Sequence, residues 1–509
     1  MTATPSAAAS HELKATLMVG LEIHVQLGTR SKMFTSAPNV AHPDHYEAEP
    51  NTLTDPVVLG MPGVLPVINR QAVNMAMLVG QALGCRIARR TKWDRKSYYY
   101  PDLPKNYQIS QYDMPLCGEG ELEIPVRDEP DAPTKTVRII RAHLEEDAGK
   151  LLHEGPGGRA IDHSIVDLNR AGTPLLEIVT EPDMTSAEEV VMFGQTLRHI
   201  CRHLGVSEGI MQRGHMRFEP NINVIIERGG ATYKTPIVEI KNLNSFRALD
   251  GAVRYEYHRQ IEQWLETGRV MQPGAKSTRG WDDVREVTVL QREKEEAHDY
   301  RYFPDPDLVE LHVDDAWIER IAGQVPELPL ARQRRYVALG LNVKDARALV
   351  DDPAEARFFD DVLAEDVDPK RAATLLLNYG AKHANERGVN LADLPITAGQ
   401  VAGVAALLAA EKIGSSAADQ LFGFCCDDPA ASAEQLADRH NLLQVSDTGT
   451  LEQYVDEVLA DPRNEKAVGD IKAGKGKAVG ALMGQIMKLS KGQANPKLVT
   501  EMIKQKLGA

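Results

Sequence analysis

Cysteine is scarce in this chain: five residues in 509, at 85, 117, 201, 425 and 426, with no Cys-x-x-Cys pair. That usage excludes the disulfide framework of a small secreted scaffold and favours a reducing cytosol, hence a cytoplasmic protein. Long apolar runs are missing too. The most apolar, Val401 to Ala410, is Ala-rich and about half the length of a membrane helix, so it reads as a buried helix and no membrane association is expected. There is no G-x-G-x-x-G, and neither Ala148-Gly-Lys150 nor Gly474-Lys-Gly-Lys477 has the spacing or the following Ser/Thr of a P-loop. Positive charge is in deficit, 58 Lys+Arg against 73 Asp+Glu for a net −15. The overall field therefore repels nucleic acid, and any contact with it must be local. The opening residues, Met1 to Ser10, have neither a basic nor an apolar region and read as a loose extension, not a signal peptide.

With 43% hydrophobic and 26% charged residues the chain can bury a large core, and its length predicts roughly three domains. From about 16 to 308 the text is strand-like and rich in turns, with alternating runs such as Leu21 to Leu27 and Leu175 to Val179 between Gly and Pro. This part reads as α+β. From 309 onward Ala, Leu and Glu dominate, with helical spacing over 345–350, 371–377 and 402–408. Pro326-Glu-Leu-Pro329 is expected to start the first helix there, and Asp427-Asp-Pro429 and Ser446 to Gly449 are plausible hinges.

Strict alternation from Gly20 to Leu27 puts Leu21, Ile23, Val25 and Leu27 on one face of a strand, and Glu22, His24 and Gln26 on the other. Taken alone, that second face could simply be solvated. His143-Leu-Glu-Glu-Asp-Ala-Gly-Lys150 sets three consecutive carboxylates beside an imidazole, which reads as a solvated loop or as a site where a cation relieves the repulsion. Glu177 is a single carboxylate in the apolar run 175–179, and needs either a wet face or a partner. Carboxylates with one imidazole and no thiolate suit Mg²⁺ or Mn²⁺, ions that commonly bridge to phosphates. The stretch Trp93 to Gln111 interleaves cations with four tyrosines, including Lys105 and Tyr107, and suits either a sugar, base or phosphate or plain aromatic packing. Lys241-Asn-Leu-Asn-Ser-Phe246, with Asn242 and Asn244, lines a cleft or makes a turn.

Together these segments resemble the B-subunit family of bacterial and organellar aspartyl/glutamyl-tRNA amidotransferases. The resemblance is carried, in the family's order, by Val19-Gly-Leu-Glu-Ile-His-Val25, Ser31-Lys-Met-Phe34, Met61-Pro-Gly-Val-Leu-Pro-Val67, Arg95-Lys-Ser-Tyr-Tyr-Tyr-Pro-Asp102, Glu145-Glu-Asp-Ala-Gly-Lys150, Val166-Asp-Leu-Asn-Arg170, Lys241 to Phe246, Tyr300-Arg-Tyr-Phe-Pro304 and Gly492-Gln-Ala-Asn-Pro496. It implies a loose extension over 1–15, a cradle-like α+β catalytic (kinase) domain over 16–308, a helical domain over 309–430 and a small YqeY-like, tRNA-binding tail over 431–509. It also implies an activity: a ligase that uses ATP and Mg²⁺, or Mn²⁺ in its place, to phosphorylate the side-chain carboxylate of Glu-tRNA(Gln) or Asp-tRNA(Asn). Ammonia from glutamine, hydrolysed by a partner amidase (glutaminase) subunit, then displaces the phosphate. A heterotrimer is completed by a small third subunit.

Carried over by the resemblance, the metal-binding groups fall on Glu22, His24, Glu145, Glu146 and Glu177, and the catalytic ones on Glu22, His24, Glu146 and Glu177. Lys105, Tyr107, Asn169, Arg170, Lys241, Asn242 and Asn244 become candidates for binding nucleotide or substrate. Many relatives carry a cysteine quartet for zinc in the region matching 35–60, where this chain has His42 and His45 but no cysteine, so no zinc is expected. Two other readings are a non-catalytic tRNA scaffold and a free-standing Mg²⁺-dependent kinase. The grouping of Glu22, His24 and Glu177 counts against the first, and the lysine-rich tail against the second.

That tail, Ile471 to Thr500, holds Lys472, Lys475, Lys477, Lys488, Lys491 and Lys497 and no acidic residue. Glycines at 474, 476 and 480 let backbone approach phosphate closely, and the lysines neutralise charge without reading sequence. Replacing Lys475 and Lys477 with Ala is expected to weaken tRNA binding and to flatten its salt dependence by about one log–log unit per lost phosphate contact. An unchanged salt slope in the double variant would refute a phosphate grip.

Overall fold

The computed structural model describes residues 13–508 except 130–131, 156–157, 294–299, 445–447, 473–477 and 491–493. The chain divides into two compact units, Met1–Ala331 and Arg332–Ala509. In the first the strands are β1 (Lys14–Gln26), β2 (Arg90–Thr91), β3 (Asp94–Ser97), β4 (Tyr107–Ser110), β5 (Gly120–Pro125), β6 (Thr134–Glu146), β7 (Lys150–Gly155), β8 (Arg159–Asp167), β9 (Pro174–Thr180), β10 (Met216–Arg228), β11 (Ala231–Lys234), β12 (Val238–Lys241), β13 (Ser277–Asp282), β14 (Val287–Glu293), β15 (Phe303–Pro304) and β16 (Leu311–His312). Twelve of them form one sheet in the order β14-β13-β12-β10-β1-β9-β6-β4-β3-β15, with β11 on β10 and β5 on β6. β12 and β13 run parallel, while the pairs around β1 are antiparallel.

β1 lies inside the sheet between β9 and β10, and its alternation supplies an apolar face to the core: Val19, Leu21, Ile23 and Val25 are buried. Leu144, Leu176, Ile178, Phe218 and Ile222 from the neighbouring strands join them in one core. Helices α1 (Arg70–Ala82), α2 (Ala187–His203) and α3 (Phe246–Thr267) contribute to that core through Val73, Met77, Phe193, Leu197, Leu249 and Val253. Each helix starts on a side-chain cap, Asn69, Ser186 and Ser245 respectively, which accepts from otherwise unpaired first-turn N–H groups.

The first unit runs past residue 308, where the sequence reading places a boundary, to Ala331. Short elements explain the difference. Leu311 pairs with Thr91, α4 (Asp315–Ala322) buries Ile321, and the Trp317 indole N–H donates to Asn74 at 2.8 Å. Helix therefore begins before Pro326, and the helix expected at 326–329 starts at Pro329. The second unit is helical, with two separate apolar cores among its described residues. One gathers Tyr336, Phe359, Leu376, Val404, Phe422 and Leu436, the other Leu451, Val455, Leu482, Ile486, Val499 and Ile503. The apolar run from Val401 lies in the helix Ala398–Ala409, which starts on a capping box of Thr397 and Gln400. No helix among the described residues is long and apolar enough to cross a membrane. Lys475, Lys477 and Lys491 lie outside the described residues, as does Ser446 of the suggested hinge, whereas Lys472 and Lys488 are exposed.

Ile23 is fully buried at the centre of β1, between β9 and β10. Ile23→Ala is expected to cost about 2–5 kcal/mol, read as a lower denaturant midpoint for the first unit, and a cost below about 1 kcal/mol would contradict this packing.

Candidate functional site

The face of the sheet opposite α1–α3 is polar, and strand register explains what meets there. His24 lies opposite Glu177 of β9 on one side and Arg217 of β10 on the other, and Glu177 in turn lies opposite His143 of β6. Two residues along, Glu145 shares the face of His143, and Glu22 shares the face of His24 and lies opposite Glu219. The His24 imidazole Nε2 is thereby 3.5 Å from Glu177, 3.7 Å from Glu145 and 3.8 Å from Glu22. One triad, His24, Glu145 and Glu177, and a second, Glu22, His24 and Glu219, each bring ligand atoms within 4.8 Å of one another. Lys241 closes this side, 2.6 Å from Glu219 and 3.3 Å from Glu239.

Burial and mutual repulsion decide the protonation states. Burial, reinforced by Glu177, pushes Glu22 and Glu145 each up to about 7. Burial disfavours charge on His24 as well, but its bond to Glu177 and the fields of Glu219 and Glu145 outweigh this and raise it to about 9. His143 moves the other way: burial lowers it to about 4, so it is neutral near pH 7. Burial would also raise Glu177, yet the neighbouring histidines and Lys96 hold it well below the usual carboxylate range. Since His143 is neutral, the cation responsible is His24, with Lys96 behind it. One carboxylate in the cluster is thus firmly ionised and two are poised near neutrality.

Comparison with known proteins places this chain in a family. The model described as the GatB/GatE catalytic domain matches residues 17–319, and a second, described as the GatB domain, matches 357–507. The B subunit of the aspartyl/glutamyl-tRNA(Asn/Gln) amidotransferase of Burkholderia ambifaria strain MC40-6 is 45% identical over 502 residues, covering 97% of this chain and 99% of that protein. The corresponding B subunits of Burkholderia vietnamiensis strain G4 and Paraburkholderia phymatum are 45% and 44% identical over the same coverage. The chain belongs to the amidotransferase B-subunit family.

Within this family member, Glu22, His24, Glu145 and Glu177 stand together, and Glu146 stands apart. Consecutive strand residues point to opposite faces, so when Glu145 joins His24, Glu146 must turn away. It pairs with Lys105 and accepts from the Ile109 N–H at 3.0 Å. Of the other candidates, Lys241 reaches the polar face directly, and Arg170 reaches its margin, where its Nε is 3.7 Å from Asp147. Tyr107 packs under Arg95, whose guanidinium carbon is 4.2 Å from the ring centre. Asn169 is buried and joins two loops, accepting from the Leu53 N–H at 2.9 Å and donating to the Glu49 carbonyl at 2.7 Å. Arg170 donates to the Ala148 carbonyl, while Asn242 and Asn244 are exposed, the former with a left-handed φ of 67°. The sequence reading missed Glu219 and Arg217, although Met216-Arg-Phe-Glu-Pro-Asn-Ile-Asn-Val224 alternates as plainly as β1. Their relevance depends on β10 pairing with β1.

The oxygen-rich donor set with one imidazole fits a hard divalent cation such as Mg²⁺ or Mn²⁺, and thiolates contribute nothing, since all five cysteines are buried elsewhere. Groups raised in the folded state, here Glu22, Glu145 and His24, stabilise the fold at low pH and lose that contribution as pH rises through about 7, 7 and 9. The same rise exposes charged carboxylates to a cation. In EDTA the melting midpoint is therefore expected to fall between pH 6 and pH 8. Added Mg²⁺ should raise it more at pH 8 than at pH 6, with proton release measurable by calorimetry. A Mg²⁺ effect independent of pH would contradict these protonation states.

Proposed function

We propose that this chain is the ATP-using subunit of a tRNA-dependent amidotransferase that converts Glu-tRNA(Gln), Asp-tRNA(Asn) or both into the amidated forms used in translation. The observation that carries this reading is the meeting of Glu22, His24, Glu145 and Glu177 on one sheet face, inside the segment that matches the family's catalytic domain. In the reaction, a side-chain carboxylate oxygen attacks the terminal phosphorus of ATP and ADP leaves. Ammonia then adds to the acyl carbon and phosphate leaves, so a poor leaving group has become a good one. The attacking carboxylate is already ionised near pH 7 and needs no general base.

Glu22, Glu145, Glu177 and Glu219 would hold Mg²⁺, joined by His24 once its Nε2 proton has left, and the bound ion would offset the charge of the phosphates and the developing transition state. Glu177 supplies a permanently ionised oxygen, fixed by His24. Asp147 accepts from Gln26 at 2.9 Å and from Arg217 at 2.8 Å, which anchors the guanidinium of the residue that lies opposite His24 in the sheet. The chain has no recognisable Cys-His or Ser-Lys glutaminase constellation, which supports ammonia arriving from a separate amidase (glutaminase) subunit, with tRNA and a small third protein as further partners in the cytoplasm.

The test is a reconstituted complex with the amidase and small subunits in which this chain carries Glu177→Gln. Aminoacyl-tRNA-dependent ADP formation is expected to fall by about 10²-fold or more, while glutamine hydrolysis by the partner and tRNA binding persist. The purified single chain should not amidate with glutamine. Amidation by the variant at the wild-type rate would refute the assignment.

A further inference from the structure

Around the polar face, most nearby cations are already engaged. Lys105 is on Glu146, Lys241 on Glu219 and Glu239, Arg217 on Asp147, and Arg95 on Asp305 and Asp307. Lys96 of β3 differs. Among the described residues no carboxylate lies within ion-pairing distance of its ammonium and no acceptor receives its hydrogens; its neighbours are ring faces, Tyr300 at 4.9 Å and Tyr98 at 5.9 Å from the ring centres. Those rings belong to a tyrosine cluster. Tyr98 and Tyr300 are 6.3 Å apart and Tyr300 and Tyr302 6.2 Å apart, all edge to face, and Tyr302 stacks on Tyr112 at 4.1 Å. Arg301, between Tyr300 and Tyr302, has a left-handed φ of 48°, a conformation that costs a non-glycine residue and that recurs at functional sites.

We infer that Lys96, held against Tyr98 and Tyr300, binds an oxyanion of the reacting groups, either the transferring phosphoryl group of ATP or the side-chain carboxylate of the aminoacyl-tRNA. The inference rests on the function proposed above. Pairing connects Lys96 to the carboxylate cluster: β3 pairs with β4, and β4 meets β6 at Ser110 opposite Glu145. Its charge is felt at Glu145, Glu177 and His143. Burial disfavours that charge, but the fields of Glu145 and Glu177 overcome it and keep the group an ammonium. A lysine serving only as counter-ion would close on a carboxylate, as Lys105 does on Glu146. Lys96 instead sets its ammonium against the faces of Tyr98 and Tyr300, which retain a cation while leaving its N–H donors for another ligand.

The experiment uses the reconstituted complex with Lys96→Met, which keeps the stem and removes the charge, and Lys96→Arg, which restores charge. Lys96→Met is expected to lower kcat/KM for aminoacyl-tRNA-dependent ADP formation by about 10- to 100-fold, with Lys96→Arg recovering a substantial part. The melting midpoint and the partner's glutaminase should be unchanged in both. A raised KM for ATP alone identifies the phosphoryl group as the oxyanion, and a raised KM for aminoacyl-tRNA alone identifies the carboxylate. A fall in kcat with both KM values kept means that the oxyanion is held chiefly in the transition state. Wild-type kinetics in Lys96→Met would overturn the inference, as would equal losses in both variants with a lowered melting midpoint. If Lys96→Met does not assemble, Tyr300→Leu, which removes a ring face, should impair the same parameter by several-fold, and no effect would overturn the inference equally. Absence of aminoacyl-tRNA-dependent ADP formation in the wild-type complex would instead refute the functional reading itself.

Discussion

Strand β1 is flanked on both sides by partners whose polar faces carry charge, and its two-residue period governs everything on the sheet. Because Ile23 and Val25 must enter the core, Glu22 and His24 must leave it on the opposite side. The antiparallel registers then leave no freedom: Glu22 meets Glu219 and His24 meets both Glu177 and Arg217. A slip of one residue in either pairing would bury carboxylates against α1–α3 and expose isoleucine and valine, a cost far above typical domain stability. Core packing thus enforces the geometry of the candidate site.

What that geometry forces together is electrostatically unfavourable. Glu22, Glu145, Glu177 and Glu219 crowd one imidazole in partly desolvated surroundings. The protein relieves this by keeping His24 an imidazolium and by distributing Lys96 and Lys241 around the rim. Two carboxylates still rise to about 7, which marks the cluster as incompletely neutralised by its own cations. Such residual repulsion is what a divalent cation relieves, and it couples the stability of the sheet to the ligand that the site would hold.

Three consecutive residues, Glu145, Glu146 and Asp147, show how strand geometry separates similar groups. Glu145 faces His24, Glu146 faces Lys105 across the strand, and Asp147, past the end of β6, receives Arg217 and Gln26. Differing partners separate the titration of the outer two, with Glu145 raised to about 7 by burial and Glu177, and Asp147 held well below the usual carboxylate range because burial is outweighed by Arg217 and Arg170. Identical chemistry in sequence becomes three distinct roles through placement alone.

The sequence by itself determined whatever depends on local period and composition. The alternation of Leu21 to Leu27 specified which face of β1 is polar, the Ala-rich text specified the helical second unit, and the ordered motifs specified the family. Only the tertiary structure decided which polar faces meet. Glu219 and Arg217 join the site because β10 pairs with β1 across some two hundred residues of chain, and nothing local to either strand records that register. Glu146 leaves it because strand phase at 145 and 146, inside a segment that also reads as a solvated loop, is set by the pairing of β6 with β9. The tyrosine cluster around Lys96 likewise forms only when Tyr300 and Tyr302 reach β3 and β4 through the pairing of Phe303 with Arg95. Side-chain direction is a local property of strands, whereas partnership is a long-range one, and the chemistry of this face depends on both.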